Sequence, residues 1–258
     1  MRRLYCHSEN IEKDKIHIDE EGIHYLKGVL RLKKGDKIEI FDGKGNKYNC
    51  VLQDVNNVKI ISKEFSLAKE NTFNVTLVQA IPNKPSKMDF IIEKATELGV
   101  DAIMPVAAER SVVNVGANGR SPLRKIERWQ KIASEASRQC GRSKVPEIKE
   151  VLSAEKALAA FSKCDLKLFA CIDKDAVFLR SVLEDFKCRG NPCGCPDRAG
   201  ASPAPTIAVF IGPEGDFTPR EIVFAKESGF QLVSLGERVL RTETAGLYIL
   251  SVLDYENI

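Results

Sequence analysis

Two glycine-bearing stretches are where this 258-residue chain could do chemistry. One is Ile211-Gly212-Pro213-Glu214-Gly215-Asp216-Phe217, and the other runs from Leu235-Gly236-Glu237 through Arg241-Thr242 to Gly246. Glycine lets backbone N–H and C=O groups come close to a ligand. Such loops suit a neutral or zwitterionic small molecule held by main-chain contacts. GPEG by itself also satisfies an ordinary β-turn with proline in second place; it is the pairing with the second loop that favours a pocket. Other chemistry is missing from the sequence. There is no G-x-x-x-x-G-K-[ST] phosphate loop, no G-x-G-x-x-G and no G-x-S-x-G elbow. The histidines are His7, His17 and His24, so no imidazole is on hand downstream for a triad or a zinc site. His24 reads as a surface residue rather than a ligand. Cys188, Cys193 and Cys195 lack the paired C-x₂-C spacing of a zinc site and a fourth ligand, so no metal is expected.

Stepping from the loops to what must hold them, residues 73 onward alternate strands with helices. Strands are expected over 73–81, 102–107, 166–172, 206–211 and 231–235. Helices are expected from Ser86 (N-cap, with Asp89 as capping-box partner) to Gly99, from Ser121-Pro122 to Cys140, over 153–161, over 176–187, from Thr218-Pro219-Arg220-Glu221 to Gly229, and over 244–256. Leu123, Ile126, Trp129, Ala133, Ala136 and Cys140 form the apolar face of the second. Alternation of this kind implies an α/β unit with a mainly parallel sheet covered on both faces. Both glycine loops then leave the carboxyl ends of neighbouring strands, the rim where open α/β sheets bind ligands. Residues 1–70 read instead as a small β-barrel, with strands near 36–41, 48–52 and 58–62 and turn dipeptides between them. Residues 188–205, rich in Pro and Gly, read as a flexible insertion.

Charge is uneven. The net charge is +3, yet Gly119–Lys144 carries +6, Ile23–Lys37 carries +4 and Thr206–Ile258 carries −4. Two basic patches on a nearly neutral chain suit a polyanion bound at a defined surface; each patch alone is also what a solvated helix face looks like. No apolar run approaches the ~20 residues of a membrane span, and the N-terminus has no apolar stretch behind Arg2 and Arg3, so a cytosolic protein with free thiols is expected.

The two loops, IGPEGDF and LGERVLRTETAG, resemble the C-terminal motifs of the RsmE-like family of 16S ribosomal RNA uridine-N3 methyltransferases, of the trefoil-knot (SPOUT) class. The likeness continues in KMDFIIEKATELGVDAIMPV, AER at 108–110, RWQKIASEASRQCGRSKVP, MRRLY and HYLKGVLRLKKGD, and so covers nearly the whole chain. Asp216 departs from it, standing where the family usually has a second glycine, and the 188–205 insertion is longer than usual.

The resemblance implies a PUA-like RNA-binding barrel (1–70) before a knotted SPOUT-like methyltransferase domain (71–258). It implies S-adenosylmethionine as methyl donor, held by Gly212, Glu214 and Gly215 on one side and by Leu235, Gly236, Val239, Leu240, Arg241, Thr244 and Ala245 on the other. It implies 16S rRNA of the small ribosomal subunit as substrate, bound with Arg2, Arg3, Arg31, Lys33, Lys34, Arg124 and Arg138, and a homodimer paired through the C-terminal domains. The last helix (Leu247, Ile249, Leu250, Val252, Leu253) has more apolar residues than one narrow face needs, as an interface helix would, a fully buried core helix being the other reading. Uridine N3 is a weak nucleophile until its proton leaves, and it lies on the pairing edge, so the base must be unpaired. Arg142 is the expected stabiliser of the uridine anion, Glu97 the expected proton acceptor, and Arg110 the expected ligand of substrate phosphate; a solvated Glu97 and a structural Arg110 are the plainer readings. A non-catalytic RNA-binding or ribosome-assembly module is the alternative, and a small-metabolite α/β enzyme a third reading, which the basic segment disfavours.

Overall fold

The computed structural model describes residues 2–54, 57–65, 73–111, 122–188 and 204–256. The expected insertion at 188–205 lies, from residue 189 to 203, outside the described residues, as do Cys193, Cys195 and the expected cap Ser121. The chain divides into two compact units, Met1–Glu70 with Ala133–Val145, and Asn71–Ile132 with Pro146–Ile258.

The first unit holds β1 (Arg3–Tyr5), β2 (Lys15–His17), α1 (Glu20–His24, continued by a wider turn to Val29), β3 (Lys37–Phe41), β4 (Asn46–Leu52) and β5 (Asn57–Phe65). They form a five-stranded mixed sheet in the order β1-β3-β4-β5-β2, a half-barrel with β1 parallel to β3 and the other pairings antiparallel. Period-2 alternation puts Ile38 and Ile40 inside, against Leu4, Ile16, Leu26 and Val58. The short β1, β2 and α1 carry too few residues for a period to show, and sequence reading passed over them.

Arg3 corrects an expectation. Expected at the RNA surface, it is 4% exposed. Its guanidinium pairs with Glu39, lies 4.7 Å over the Phe41 ring, and donates to the carbonyls of Ser137, Arg138 and Arg142. A guanidinium offers five donors in a rigid fork, which suits collecting several carbonyls at once. Arg3 is thus the polar pin that fastens the 133–145 segment to the edge of the sheet. Arg2, one residue earlier, stays exposed and pairs with Asp36 at 3.4 Å.

The second unit runs β6 (Asn74–Ala80), α2 (Pro85–Glu97), β7 (Ala102–Ala107), α3 (Pro122–Cys140, whose residues from Ala133 belong to the first unit), β8 (Glu147–Ile148), β9 (Leu152–Ser153), α4 (Ala154–Ala160), β10 (Leu166–Ala170), β11 (Val177–Phe178), α5 (Leu179–Cys188), β12 (Thr206–Ile211), α6 (Pro219–Glu227), β13 (Gln231–Ser234) and α7 (Thr242–Tyr255). Among the described residues all strand pairs of this unit are parallel, in the order β11-β13-β10-β12-β6-β7-β8, with β9 also on β7. Both faces are covered, so the central strands read as unbroken apolar runs. Val78, Phe169, Ala208 and Phe210 face the side packed by α4 and α6. Leu77, Gln79 and Ile211 face α7, where a side chain on Gly246 would come within 3.3–3.6 Å of all three.

Three local expectations are corrected. α2 starts at Pro85 with Lys84 as N-cap and no capping side chain, so the Ser86–Asp89 box is not made; proline at the first helical position sets the start instead. Asp89 pairs with Arg128. The helix expected over 176–187 begins only at Leu179, because Val177–Phe178 adds an edge strand beside β13. Leu123, assigned to the buried face of α3, is 67% exposed, whereas Trp129, Ala133 and Ala136 are buried. The Thr218–Glu221 capping box of α6 is present in full.

The pinning role of Arg3 gives a contrast between neighbours. Arg3→Ala strands the largely buried Glu39 carboxylate and should cost about 3–5 kcal/mol, whereas Arg2→Ala removes an exposed pair and should cost under about 1 kcal/mol. Urea denaturation of the full chain checks both, and equal midpoints would refute the assignment.

Candidate active site

Three loops leave the carboxyl ends of β10, β12 and β13, which are neighbours or next-neighbours in one parallel sheet, and with the start of α7 they enclose a cavity of about 360 Å³. Ala170–Asp173 forms one side. Ile211–Glu214 and Asp216 form the second. Val233–Thr242 and Ala245 form the third.

The middle loop is anchored from beneath. The Phe217 ring sits 4.2 Å from the Phe169 centroid and 6.2 Å from Phe210, an aromatic cluster that buries large area with preferred tilted geometry. Phe217 packs so close that a Cβ at Gly212 would meet its ring at 3.0 Å, so a side chain there would push against the ring that anchors the loop. Arg110 Nη1 donates to the carbonyls of Gly215 (2.9 Å) and Phe217 (3.3 Å). Glu221 Oε1 accepts from Glu109 N–H, and Thr218 Oγ1 donates to Glu109, tying the end of β7 to the start of α6. Asp216 has φ of +57°, unusual for a residue with a side chain. Its Oδ1 accepts from Phe217 N–H and its Oδ2 from Ile172 N–H. Gly236 has φ of +118°, where L side chains are strained, and no described atom lies within 4 Å of where its Cβ would be.

A buried polar relay closes the bottom of the site. Gln79 Nε2 donates to Thr242 Oγ1 at 2.8 Å, and Thr242 Oγ1 donates to Gly212 O at 2.6 Å. Both side chains are buried.

Electrostatics are mixed. Partial burial works to raise the Glu214 carboxyl, but hydrogen bonds from Lys87 Nζ (2.7 Å) and from the N–H of Asn83 hold it below the usual carboxylate range. Burial, then the nearby Asp216 and Asp173 carboxylates, push the Cys171 thiol up to about 12. Glu237, Arg238 and Arg241 complete the charged rim.

Eight of the ten residues expected to hold the methyl donor line the cavity: Gly212, Glu214, Leu235, Gly236, Val239, Leu240, Arg241 and Ala245. Gly215 turns away toward Arg110, and Thr244 lies exposed in the first turn of α7. Sequence reading missed the Ala170–Asp173 wall, although the rim rule that found the other two loops applies equally to the strand before it. It also missed Gln79, for which nothing in a buried strand sequence signals a functional amide.

The three expected catalytic residues do not line this cavity. Glu97 ends α2, exposed and paired with Lys94 at 2.8 Å. Arg110 supports the middle loop from behind. Arg142 belongs to the first unit and is 3% exposed. Of the expected RNA contacts, Arg31, Lys33, Lys34 and Arg124 are exposed. Arg138 is half-buried, paired with Glu135 and 4.1 Å over the Tyr25 ring.

Comparison with known proteins gives the family. A family model described as an RNA methyltransferase domain matches residues 69–254, and one described as an RNA methyltransferase PUA domain matches 18–65. Ribosomal RNA small subunit methyltransferase E of Bacillus subtilis is 31% identical over 95% of this chain and 91% of its own. A Legionella pneumophila methyltransferase solved with bound SAM superposes with a TM-score of 0.82 at 29% identity, covering 98% of this chain and 97% of that one. The Neisseria gonorrhoeae ribosomal RNA small subunit methyltransferase E bound to S-adenosyl methionine superposes at 0.80, with 29% identity over 99% and 98% of the two chains. With RNA methyltransferase and PUA models spanning most of its length and a relative above 30% identity along both chains, the chain belongs to the ribosomal RNA small subunit methyltransferase E family.

Proposed function

We propose that this protein transfers a methyl group from S-adenosylmethionine to N3 of a uridine in 16S rRNA of the small ribosomal subunit. The observation that carries the reading is the three-loop cavity at the carboxyl rim of the parallel sheet, in a chain whose solved neighbours hold that donor. The residues present fit it. A cavity of about 360 Å³ falls within the range of small-molecule sites. Its lining combines main chain around Gly236, apolar Val239, Leu240 and Ala245, and the carboxylates of Asp173 and Asp216, which suit a ligand carrying a cationic centre. Gly212, Glu214, Leu235, Gly236, Val239, Leu240, Arg241 and Ala245 would hold it directly, with Gly215 and Thr244 shaping the loops from behind. When bound, S-adenosylmethionine supplies an electrophilic methyl group on a sulfonium.

The protein's own part is to hold an unpaired uridine, remove or accommodate its N3 proton, and stabilise the anion. We assign the last task to Arg142 on the family pattern; its guanidinium is buried, where a charge acts through a lower dielectric than it would in water. Glu97 remains the proposed proton acceptor on the family pattern, and Arg110 acts first as a support of the donor loop. Arg2, Arg31, Lys33, Lys34 and Arg124 are the proposed phosphate contacts, with Arg138 at their margin. The knotted path, the cytosolic location and the homodimer are proposed on family grounds. For the dimer, the apolar excess of α7 gives little support, since Ile249, Leu250 and Leu253 are spent in the unit's own core; Tyr248 and Tyr255 are its exposed aromatics. A purely RNA-binding module would have no use for the cavity, which is why the catalytic reading is preferred.

Calorimetric titration with S-adenosylmethionine should show one binding event, and silence at millimolar ligand would sink the reading. Gly236→Val should abolish that binding, because a branched side chain is both strained at φ +118° and set at the cavity wall. Arg142→Ala should lower turnover on hypomethylated subunits about a hundredfold, with donor affinity kept; a matched melting curve guards against simple unfolding, and unchanged turnover would make Arg142 a structural arginine. Light scattering at micromolar protein should give a dimer mass, against which a monomer would count.

A further inference from the structure

We propose that Asp216 is a positioning residue for the methyl-donor pocket: its carboxylate latches the Ala170–Asp173 wall to the Gly212–Phe217 loop. The proposal rests on reading the cavity as the donor site. Asp216 sits in the left-handed region at φ +57°, which glycine adopts freely and other residues adopt at a cost. Something must offset that cost, and the side chain shows what. Oδ1 accepts the N–H of Phe217 at 2.8 Å, fixing the local turn, and Oδ2 accepts the N–H of Ile172 at 3.1 Å, 44 residues away in sequence. The two oxygens of one carboxylate therefore join two loops that belong to different strands, β10 and β12. Both loops line the same cavity.

The two walls are held unequally without this contact. The Gly212–Phe217 loop has the Phe217 ring, Arg110 and the Thr242 hydroxyl to fix it. On the Ala170–Asp173 side Cys171 packs against the core beneath, but Ile172 is 67% exposed. The anchors of this side include the main-chain bonds Cys171 N–H to Val233 O at 3.3 Å and Ala176 N–H to Asp173 O at 3.1 Å, and the Asp175 N–H and Lys226 ammonium on the Asp173 carboxylate; the Asp216 latch is what ties the stretch between them to the Gly212–Phe217 loop. A carboxylate accepting a backbone N–H is a charge-assisted bond, roughly twice as strong as a neutral one. Asparagine tolerates the same backbone region but has a single carbonyl acceptor, so it cannot hold both N–H groups.

Asp216→Gly is the informative variant, because it keeps the backbone freedom and deletes the carboxylate. It should weaken S-adenosylmethionine binding about tenfold by calorimetry. KM for the donor should rise in step, with kcat at saturation unchanged. The Ile172 amide should exchange with deuterium faster in the unliganded protein, while the melting temperature stays near that of the wild type. Asp216→Asn should recover part of the affinity, and Asp216→Ala, which loses both the latch and the easy backbone, should bind more weakly than Asp216→Gly. If Asp216→Gly binds as tightly as the wild type, or leaves Ile172 exchange unchanged, the latch is refuted and the aspartate merely fills a turn. If instead the wild-type protein binds no S-adenosylmethionine, the reading of the cavity falls, and the Ile172 exchange comparison still decides the latch.

Discussion

The hydroxyl of Thr242 is the single group on which the pocket's floor depends. It stands at the start of α7, accepts a hydrogen bond from Gln79 on β6 and donates one to the carbonyl of Gly212 after β12. In a buried setting each of these bonds counts for more than it would in water, and each would be costly to leave unmade. The relay therefore fixes where α7 begins relative to the sheet. The loop from Gly236 to Arg241 is the chain's route into that helix, so its shape follows from the same contact. Gln79 adds a further constraint, since its neighbours on β6 are apolar and one amide must be placed among them with its donors satisfied.

Much of the second unit was legible because its signals are long or redundant. Six-residue apolar strands such as 206–211 alternate with helices that carry their own start signals, and Thr218-Pro219-Arg220-Glu221 offers three of them at once. Where a single weak signal stood alone, reading failed. Ser86 has the right partner spacing for a cap, but Pro85 before it had already opened the helix. Val177–Phe178 became strand because the β13 edge was there to pair with, a tertiary fact no local pattern carries. Arg3 shows the same limit for charge. Sequence gives an arginine next to an arginine near a basic patch; only the fold shows that one is surrounded by carbonyls and the other by solvent.

The candidate site was legible to a similar depth. Glycine loops at a strand rim were visible as such, and most of their residues do line the cavity. The catalytic assignments were less accessible, since they rest on matching a pattern rather than on spacing that makes a geometry. Gly236 and Asp216 mark the difference. Both take left-handed backbone at the cavity wall. The glycine announces that possibility in its type, whereas the aspartate does so only once its two acceptor bonds are seen.

The Cys171 thiol has a consequence of its own. It lines the cavity, and burial together with the Asp216 and Asp173 carboxylates holds it protonated up to about pH 12. Only the thiolate is a strong nucleophile. At neutral pH the thiol form prevails. With a methyl donor bound as proposed, a thiolate at this wall would be exposed to alkylation. Burial first, and then the two carboxylates, keep that sulfur in its unreactive form, so this wall of the cavity could lie beside an electrophile without being modified by it.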